Sequence, residues 1–169
     1  MLPINLAAWI DEHRHLLRPP VGNQVVWRDS DFIVMVIGGP NARKDFHVDI
    51  SEEFFYQVEG DITLRVNENG AFRDIAIKQG EIFLLPPNVP HSPQRPPNTV
   101  GLVIERARKP HEEDEFRWYC EDCSTELHRI RLHVTDITTQ LAPAFDAFYT
   151  DAALHTCKRC GKAQQRATL

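Results

Sequence analysis

The sequence lacks the features that mark membrane proteins and nucleic-acid-binding proteins. None of its apolar runs approaches the roughly 18 residues that a membrane-spanning helix needs. Basic residues are not in surplus: 19 Lys and Arg stand against 24 Asp and Glu, a formal net charge of -5, whereas a nucleic-acid-binding surface is basic. The first residues are too acidic, and their apolar stretch is too short, for a signal peptide. We therefore expect a cytoplasmic protein without membrane or nucleic-acid partners.

Cysteine is scarce, and its four positions form two pairs of equal spacing. Cys120 and Cys123 make one C-x-x-C pair, Cys157 and Cys160 make the other, and thirty-three residues lie between the pairs. In a reducing compartment such pairs indicate a metal site rather than disulfides. Four thiolates suit a closed tetrahedral iron or zinc site, which stabilises a fold and leaves no position for substrate. The pattern therefore predicts a structural metal ion.

Residues 24–106 consist of short segments rich in β-branched and aromatic residues. Turn signals separate them, among them Gly38-Gly39-Pro40-Asn41 and Asn67-Glu68-Asn69-Gly70. Many short strands with regular turns are typical of an antiparallel sandwich or a jelly-roll barrel, so an all-β fold is expected. The predicted strands are QVVWR, FIVMVIGG, FHVDI, EEFFYQVEG, DITLRV, FRDIAI, EIFLLP and VGLVIER.

The flanking segments differ in composition from these strands. A short amphipathic helix is predicted near the N-terminus, where five apolar residues can share one face: Leu6, Trp9, Ile10, Leu16 and Leu17. After residue 110 the HEEDE run is expected to be solvated, and a strand in ELHRIRLHV and a helix in LAPAFDAFYTDAAL follow it. The chain is thus divided into a barrel with its N-terminal helix, residues 1–110, and a metal-binding C-terminal extension, residues 111–169.

The stretch 86–97 holds six of the twelve prolines. Because proline donates no ladder hydrogen bond, this stretch is expected to form an ordered loop or an edge rather than a central strand.

Two histidines and a glutamate are candidates for a catalytic metal site. His47 lies in a predicted strand, Glu53 follows six residues later across a hairpin-like turn, and His91 comes after the sequence PPNVP. Two imidazoles and one carboxylate are the ligands of octahedral non-haem Fe(II) with one face open. Spacing alone leaves structural histidines and a solvated turn as the alternative. Asp49, on the same strand face as His47, is a further possible ligand.

Two segments resemble the paired motifs of the cupin superfamily. Residues 39–60 resemble the first motif, with His47, Glu53 and Gly60 at the family's spacings. Asp49 stands where many cupins have a second histidine, so the resemblance implies three metal ligands instead of four. The segment GEIFLLPPNVPH resembles the second motif, with Asn88 at its usual glycine. The implied fold is the cupin double-stranded β-helix, a jelly-roll barrel, here with an N-terminal helix and a rubredoxin-like C-terminal extension.

A closer resemblance, over nearly the whole chain, is to the 3-hydroxyanthranilate 3,4-dioxygenase family. It is carried by NARKDFHVDISEEFFYQVEGD, LLPPNVPHSPQRP and GLVIERAR, and it includes the cysteine pairs of the bacterial-type members. It implies that His47, Glu53 and His91 hold a catalytic Fe(II). The implied reaction converts 3-hydroxyanthranilate and O2 to 2-amino-3-carboxymuconate semialdehyde, either for quinolinate and NAD synthesis or for aromatic degradation. For the cysteine site, the rubredoxin-like segment CKRCG favours iron over zinc.

The resemblance also implies catalytic contacts for three charged residues. Arg95 offers a planar fork for a substrate carboxylate, and Glu105, costly to bury in an apolar strand unless it is used, would meet the hydroxyl or amine of the ring. Arg43 would stabilise negative charge on O2. Glu53 and Asn23 are further candidates for substrate contacts. Two other arginines are expected to form surface ion pairs: Arg106 and Arg108.

Other functions stay open on the sequence alone. The chain could be a cupin dioxygenase for another aminophenol or catechol, or a metal-dependent isomerase. It could also be a non-enzymatic cupin that binds a small molecule, although such a sensor would normally carry a DNA-binding domain. A zinc-ribbon interaction protein would explain the cysteines and ignore about two thirds of the chain. A homodimer is expected, because sandwich edges and cupin faces often pair.

Overall fold

Two antiparallel sheets form most of the protein. The structure is a computed structural model that describes residues 2–19, 22–27, 30–136 and 140–167. Its strands are β1 (Asn23–Val25), β2 (Phe32–Gly38), β3 (Asp45–Val48), β4 (Glu53–Glu59), β5 (Ile62–Glu68), β6 (Ala71–Ile77), β7 (Ile82–Leu85), β8 (His91–Gln94), β9 (Val100–Arg106), β10 (Asp114–Tyr119) and β11 (Glu126–Leu132). One sheet has the order β1-β2-β9-β4-β7, and the other has the order β11-β10-β3-β8-β5-β6. The expected two-sheet, all-β fold is confirmed; residue 28, at the end of the predicted QVVWR strand, lies outside the described ranges.

The main core lies between the inner faces of the two sheets. Met35, Phe55 and Val103 of the five-stranded sheet belong to the same buried cluster as Leu64 and Val66 of the six-stranded sheet. Alternate residues of a strand point to opposite faces, and β4 accordingly alternates between buried and half-buried positions. Glu53 therefore points inward, on the same face as Phe55, and enters the space between the sheets.

The N-terminal helix covers one end of the five-stranded sheet. This helix, α1 (Leu6–His13), begins where the side chain of Asn5 accepts a hydrogen bond from the backbone N–H of Ala8 at 3.1 Å. Ile10 and Leu17 pack against Val36 of the sheet. Leu16 is 40% exposed, so its predicted place on this apolar face is wrong: the chain leaves the α-helix for a 3-10 turn at Arg14–Leu16.

The C-terminal segment adds two strands and two helices. The predicted helix in LAPAFDAFYTDAAL is two helices, α2 (Leu141–Thr150) and α3 (Ala152–His155), because the chain extends at Asp151, whose carboxylate accepts the N–H of Ala153. The ring of Phe148 stacks on Trp118 of β10 with centroids 4.5 Å apart. β10 pairs with β3, so the six-stranded sheet continues past residue 110. The domain division at residue 110 stays a prediction.

Two expectations about local structure are wrong. The proline-rich stretch contains β8, which lies between β3 and β5 instead of at an edge. The prolines are tolerated because β8 is short. It shares one residue pair with β3, His47 with His91, and four pairs with β5, where Pro93 lies opposite Leu64. The HEEDE run is not wholly solvated: Glu112 and Asp114 are buried, since Asp114 begins β10.

Within the described ranges, the structure contains no helix with both the length and the apolar character required to span a membrane.

Candidate active site and metal centres

The three predicted ligands meet between the two sheets. His47 on β3 and His91 on β8 are a register pair of the six-stranded sheet, and Glu53 is the first residue of β4 in the other sheet. Their ligand atoms lie within 4.8 Å of one another, and all three side chains are buried. The fold therefore assembles two imidazoles and one carboxylate from strands that are distant in sequence.

The contact between His91 and Glu53 fits a shared cation. The Nδ1 atom of His91 lies 3.0 Å from the carbonyl oxygen of Val89, which can only accept, so Nδ1 carries the proton and Nε2 keeps its lone pair. Nε2 lies 2.8 Å from Oε2 of Glu53, yet this buried oxygen has no hydrogen-bond partner. Two lone pairs at this distance repel, so a cation must lie between or beside them. Burial lowers the pKa of His91, but the charge and hydrogen bond of Glu53 raise it, so a proton takes this place when the ring is charged and a metal ion takes it when the ring is neutral. A metal ion bound by both atoms satisfies the contact.

Glu53 also has the charge state that a ligand requires. Burial alone would raise the pKa of its carboxyl group, but the neighbouring imidazoles of His91 and His47 and the charge of Arg108 outweigh burial and lower the pKa to about 2. Glu53 is therefore ionised at neutral pH, as carboxylate ligands are.

His47 is held by a carboxylate that the sequence analysis did not identify. Its Nε2 donates to Oδ2 of Asp114 at 2.7 Å, and its ring stacks on Phe116 with centroids 4.9 Å apart. Burial would raise the pKa of Asp114, but its hydrogen bonds to His47 and Arg108 lower it, so the carboxylate accepts the proton of Nε2. The Nδ1 lone pair of His47 is then available to a metal. Carboxylates of this kind orient ligating histidines and fix their tautomer.

Asp49 has no free oxygen to offer a metal. Its Oδ1 accepts the backbone N–H and the hydroxyl of Ser51 at 2.7 and 2.8 Å, and its Oδ2 accepts from Arg108 at 3.0 Å. Oxygens of Asp49, Glu53 and Glu105 do approach within 4.8 Å of one another. The guanidinium of Arg108 already neutralises two members of that group, which favours a three-ligand site without Asp49.

The prediction for Arg108 is wrong, because its side chain is 1% exposed and not on the surface. Its guanidinium contacts the carboxylates of Asp49, Glu105 and Asp114 in the interior. The prediction for Arg106 is confirmed: it is half-buried at the surface and pairs with Glu112 at 2.8 Å.

Arg95 is a buried cation that pairs with no carboxylate of the described residues. Its Nη1 donates to Oε1 of Gln57 at 3.3 Å, and its buried Nη2 has no partner among them. Burial lowers its pKa to about 10, which leaves the group charged at neutral pH. Gly101 makes room for it, since a Cβ atom there would lie 2.7 Å from Nη1. A buried guanidinium with free donors is suited to bind an anionic ligand.

Glu105 provides the complementary group. It lies directly opposite Glu53 in the β4–β9 register and is 2% exposed. Its Oε1 accepts from Arg108 at 2.6 Å, whereas the buried Oε2 has no partner. Burial and the charge of Glu53 raise its pKa to about 8, so the carboxyl group can exchange a proton near neutral pH.

Arg43 and Asn23 lie in the wall of a cavity of about 320 Å³, together with Phe145 and Tyr149 of α2. The guanidinium of Arg43 is half-buried and pairs with Asp45. His47, Glu53 and His91 do not line this cavity. The structure thus places Arg43 and Asn23 with each other rather than against the three predicted ligands.

The four cysteines form a second cluster near the C-terminus. Their sulfur atoms lie within 4.8 Å of one another, and the pairs Cys120–Cys160 and Cys123–Cys157 are each separated by 3.5 Å, too far for a disulfide. Each C-x-x-C pair forms the same hydrogen-bonded turn. It closes with a residue of positive φ, Ser124 at 59° and Gly161 at 77°. A tetrahedral metal ion fits this set of thiols.

Most of the chain is similar to known proteins. The family model for 3-hydroxyanthranilic acid dioxygenase matches residues 1–149. The 3-hydroxyanthranilate 3,4-dioxygenase of Xanthomonas oryzae pv. oryzae is 54% identical over 159 residues, which cover 94% of this chain and 90% of the relative. That of Bacillus thuringiensis is 48% identical over 158 residues, 93% of this chain and 88% of the relative. Among solved structures, a cupin-2 domain-containing protein from Shewanella frigidimarina aligns with a TM-score of 0.47 and 18% identity, covering 61% of this chain and 93% of that one.

Glu53→Gln tests the metal cluster directly. The amide keeps the volume but loses the charge, so we expect one metal ion fewer per chain, measured by elemental analysis after anaerobic loading with Fe(II). Glu52→Gln, at the exposed neighbouring position, is the matched control and should keep its full metal content. Full metal content in Glu53→Gln would contradict the assignment of Glu53 as a ligand.

Cys120→Ala should remove the second metal ion and spare the first. Because metal binding contributes folding free energy, we expect a loss on the order of 2 kcal/mol or more, about 4–8 °C in Tm. Calorimetry and elemental analysis measure both effects. An unchanged Tm in a variant that has lost this metal ion would refute a stabilising role for the cysteine site.

Proposed function

We propose that this chain, which belongs to the 3-hydroxyanthranilic acid dioxygenase family, cleaves the ring of 3-hydroxyanthranilate with O2 at the His47–Glu53–His91 cluster. The product would be 2-amino-3-carboxymuconate semialdehyde. One observation carries the assignment to this cluster: a buried two-histidine, one-carboxylate set lies beside two buried charged groups with free hydrogen-bonding atoms, Arg95 and Glu105.

Fe(II) is the metal ion we propose for this cluster. Two imidazoles and one carboxylate leave open positions on an octahedral ion, the arrangement of non-haem Fe(II) oxygenases. Bound there, Fe(II) would supply the redox chemistry that O2 requires. The protein excludes water from the site, since all three ligand side chains are buried, and it fixes their orientation through Asp114 and the carbonyl of Val89.

Arg95 is proposed to bind the substrate carboxylate. Its free Nη2 and its charge match a carboxylate, and a buried cation gains most from an anionic partner because water does not compete. Glu105 is proposed to use its free Oε2 to hold the hydroxyl or amine of the ring. With Arg95 and Glu105 both engaged, the substrate would be bound by its carboxylate and by its other polar edge, and the ring would be oriented between them.

Arg43 and Asn23 are proposed to act at the edge of the site. Burial lowers the pKa of Arg43, but the negative charges of Asp45 and Glu53 raise it by more. The positive charge of Arg43 is therefore close enough to interact with Glu53. That charge can stabilise electron density gained by O2. Asn23 lines the same cavity and is proposed as part of the substrate's path to the site.

The cysteine cluster is proposed to hold a structural iron or zinc ion. All four positions of a tetrahedral ion would be taken by thiolates, which leaves none for substrate. The resemblance of CKRCG to a rubredoxin turn favours iron. A thiolate metal site persists where thiols are kept reduced, so we propose the cytoplasm.

Turnover of 3-hydroxyanthranilate is the first test of this function. We expect anaerobically reconstituted protein to consume O2 and 3-hydroxyanthranilate in equal amounts, with rising semialdehyde absorbance, and only when Fe(II) is present. Inactive protein with both sites loaded would reject this substrate and favour another aminophenol or a catechol, whereas retention of unchanged ligand would favour a non-enzymatic binding protein.

Arg95→Gln should separate substrate binding from chemistry. Loss of a charge-assisted pair removes roughly 1.5–3 kcal/mol, so kcat/KM for 3-hydroxyanthranilate should fall by about 10- to 150-fold. With 2-aminophenol, which lacks the carboxylate, the same variant should differ from the parent by less than about threefold. Equal losses on both compounds would show that Arg95 does not bind the carboxylate.

We also propose a homodimer that forms through the outer face of the five-stranded sheet. Ile82 and Leu84 on the edge strand β7 are 67% and 53% exposed, and they lie beside Tyr56 and Phe54 in register. A second copy of the chain offers the same apolar face, and such self-complementarity is what a two-fold interface requires.

Leu84→Lys should disrupt this interface. Light scattering should show a dimer for the parent, twice the 19.4 kDa of one chain, and a monomer for the variant. Ala76→Lys places the same charge at an exposed position on β6 of the other sheet and should stay dimeric. A Leu84→Lys dimer as tight as the parent's would exclude this face.

A further inference from the structure

Arg108 lies at the centre of a buried network of charges. Two residues beyond β9, its side chain is 1% exposed. Its Nε and Nη2 atoms donate to the two oxygens of Asp114 at 2.8 and 2.6 Å. Nη2 also donates to Asp49 at 3.0 Å, and Nη1 donates to Glu105 at 2.6 Å. One guanidinium thus joins three carboxylates that come from three different segments of the chain.

Two of these carboxylates also face the active site, one through a second contact and the other through an oxygen without a partner. Asp114 uses the same Oδ2 to accept from Arg108 and from Nε2 of His47. Glu105 binds Arg108 through Oε1 and leaves Oε2 without a partner. The path His47–Asp114–Arg108–Glu105 therefore connects a proposed metal ligand to a proposed substrate contact.

We propose that Arg108 is a positioning residue that holds His47, through Asp114, and Glu105 in one fixed relative geometry. The inference rests on the proposed function, since it deepens the roles given there to His47 and Glu105. A third anchor supports it: Asp49 is fixed by Ser51 at its other oxygen, so the guanidinium cannot turn without breaking several bonds.

The geometry requires an arginine. The planar fork binds Asp114 with two parallel N–H groups and still presents donors to Asp49 and Glu105. A lysine keeps the positive charge but, as a point charge on a flexible stem, cannot make these contacts in fixed directions. Removal of the charge leaves buried carboxylates unpaired, which costs stability as well as geometry.

Arg108→Gln is compared with Arg106→Gln, the same change at the neighbouring surface arginine. Fe(II) affinity of the His47–Glu53–His91 site is measured anaerobically against a competing chelator, and kcat and KM are measured with saturating Fe(II). For Arg108→Gln we expect Fe(II) affinity and kcat each to fall by about 10- to 100-fold. KM should rise as well, because Glu105, which is proposed to hold the ring, loses the contact that fixes it. Arg108→Lys should recover part of both losses, and Arg106→Gln should match the parent.

A purely structural role predicts a different pattern. Arg108→Gln would then lower the Tm, while its Fe(II) affinity and kcat would stay within about threefold of Arg106→Gln, and the proposal would be overturned. If Arg108→Gln does not fold, Asp114→Asn and Arg108→Lys take its place, and parental Fe(II) affinity in both would overturn it equally. The titration needs no substrate, so an inactive parent would refute the proposed reaction and leave the effect of Arg108 on Fe(II) affinity to be judged separately.

Discussion

Burial of several carboxylates in one small volume is the constraint on which the site depends. Asp49, Glu53, Glu105 and Asp114 are all buried within the same network of contacts. At neutral pH Glu105 holds its proton, because burial and the charge of Glu53 raise its pKa to about 8. The other three carry three negative charges, and Arg108 supplies one positive charge. Two negative charges remain, which is the charge that a divalent metal ion offsets when both histidines are neutral.

The proposed substrate binding depends on the same balance of buried charges. Arg95 contributes one further positive charge that no carboxylate in the described structure neutralises. A substrate with one carboxylate restores neutrality without displacing any protein contact. A ligand that lacks a carboxylate leaves this guanidinium buried and unpaired, which is an expensive state. The site can therefore discriminate by charge balance as well as by shape, since rejection comes from the unpaired group rather than from a steric clash.

The sequence predicted the residues that stand in local motifs. It missed the residues that reach the site only because strands distant in sequence pair with each other. His47, Glu53 and His91 stand in recognisable motifs, and the spacing of the cysteine pairs alone predicts a metal site. Asp114 lies in an acidic run with no apolar periodicity, so nothing local indicated that β10 would pair with β3 and bring it to His47. The burial of Arg108 was missed for the same reason, because its guanidinium lies against Asp114. These contacts depend on the register of the strands, because a slip of one residue would turn the side chains of His47, His91 and Asp114 to the opposite face of the sheet.

The same pairing also joins the cysteine cluster to the active site through packing. Cys123 and Cys157 enclose the segment that carries α2, and the ring of Phe145 on that helix meets Phe116 edge to face at 5.5 Å. Phe116 in turn stacks on His47 at 4.9 Å. Close-packed rings transmit displacement, because an aromatic side chain cannot shift without opening a void or a clash. The metal ion proposed for the four cysteines would close the ends of this segment and so restrain the ring against which His47 is packed.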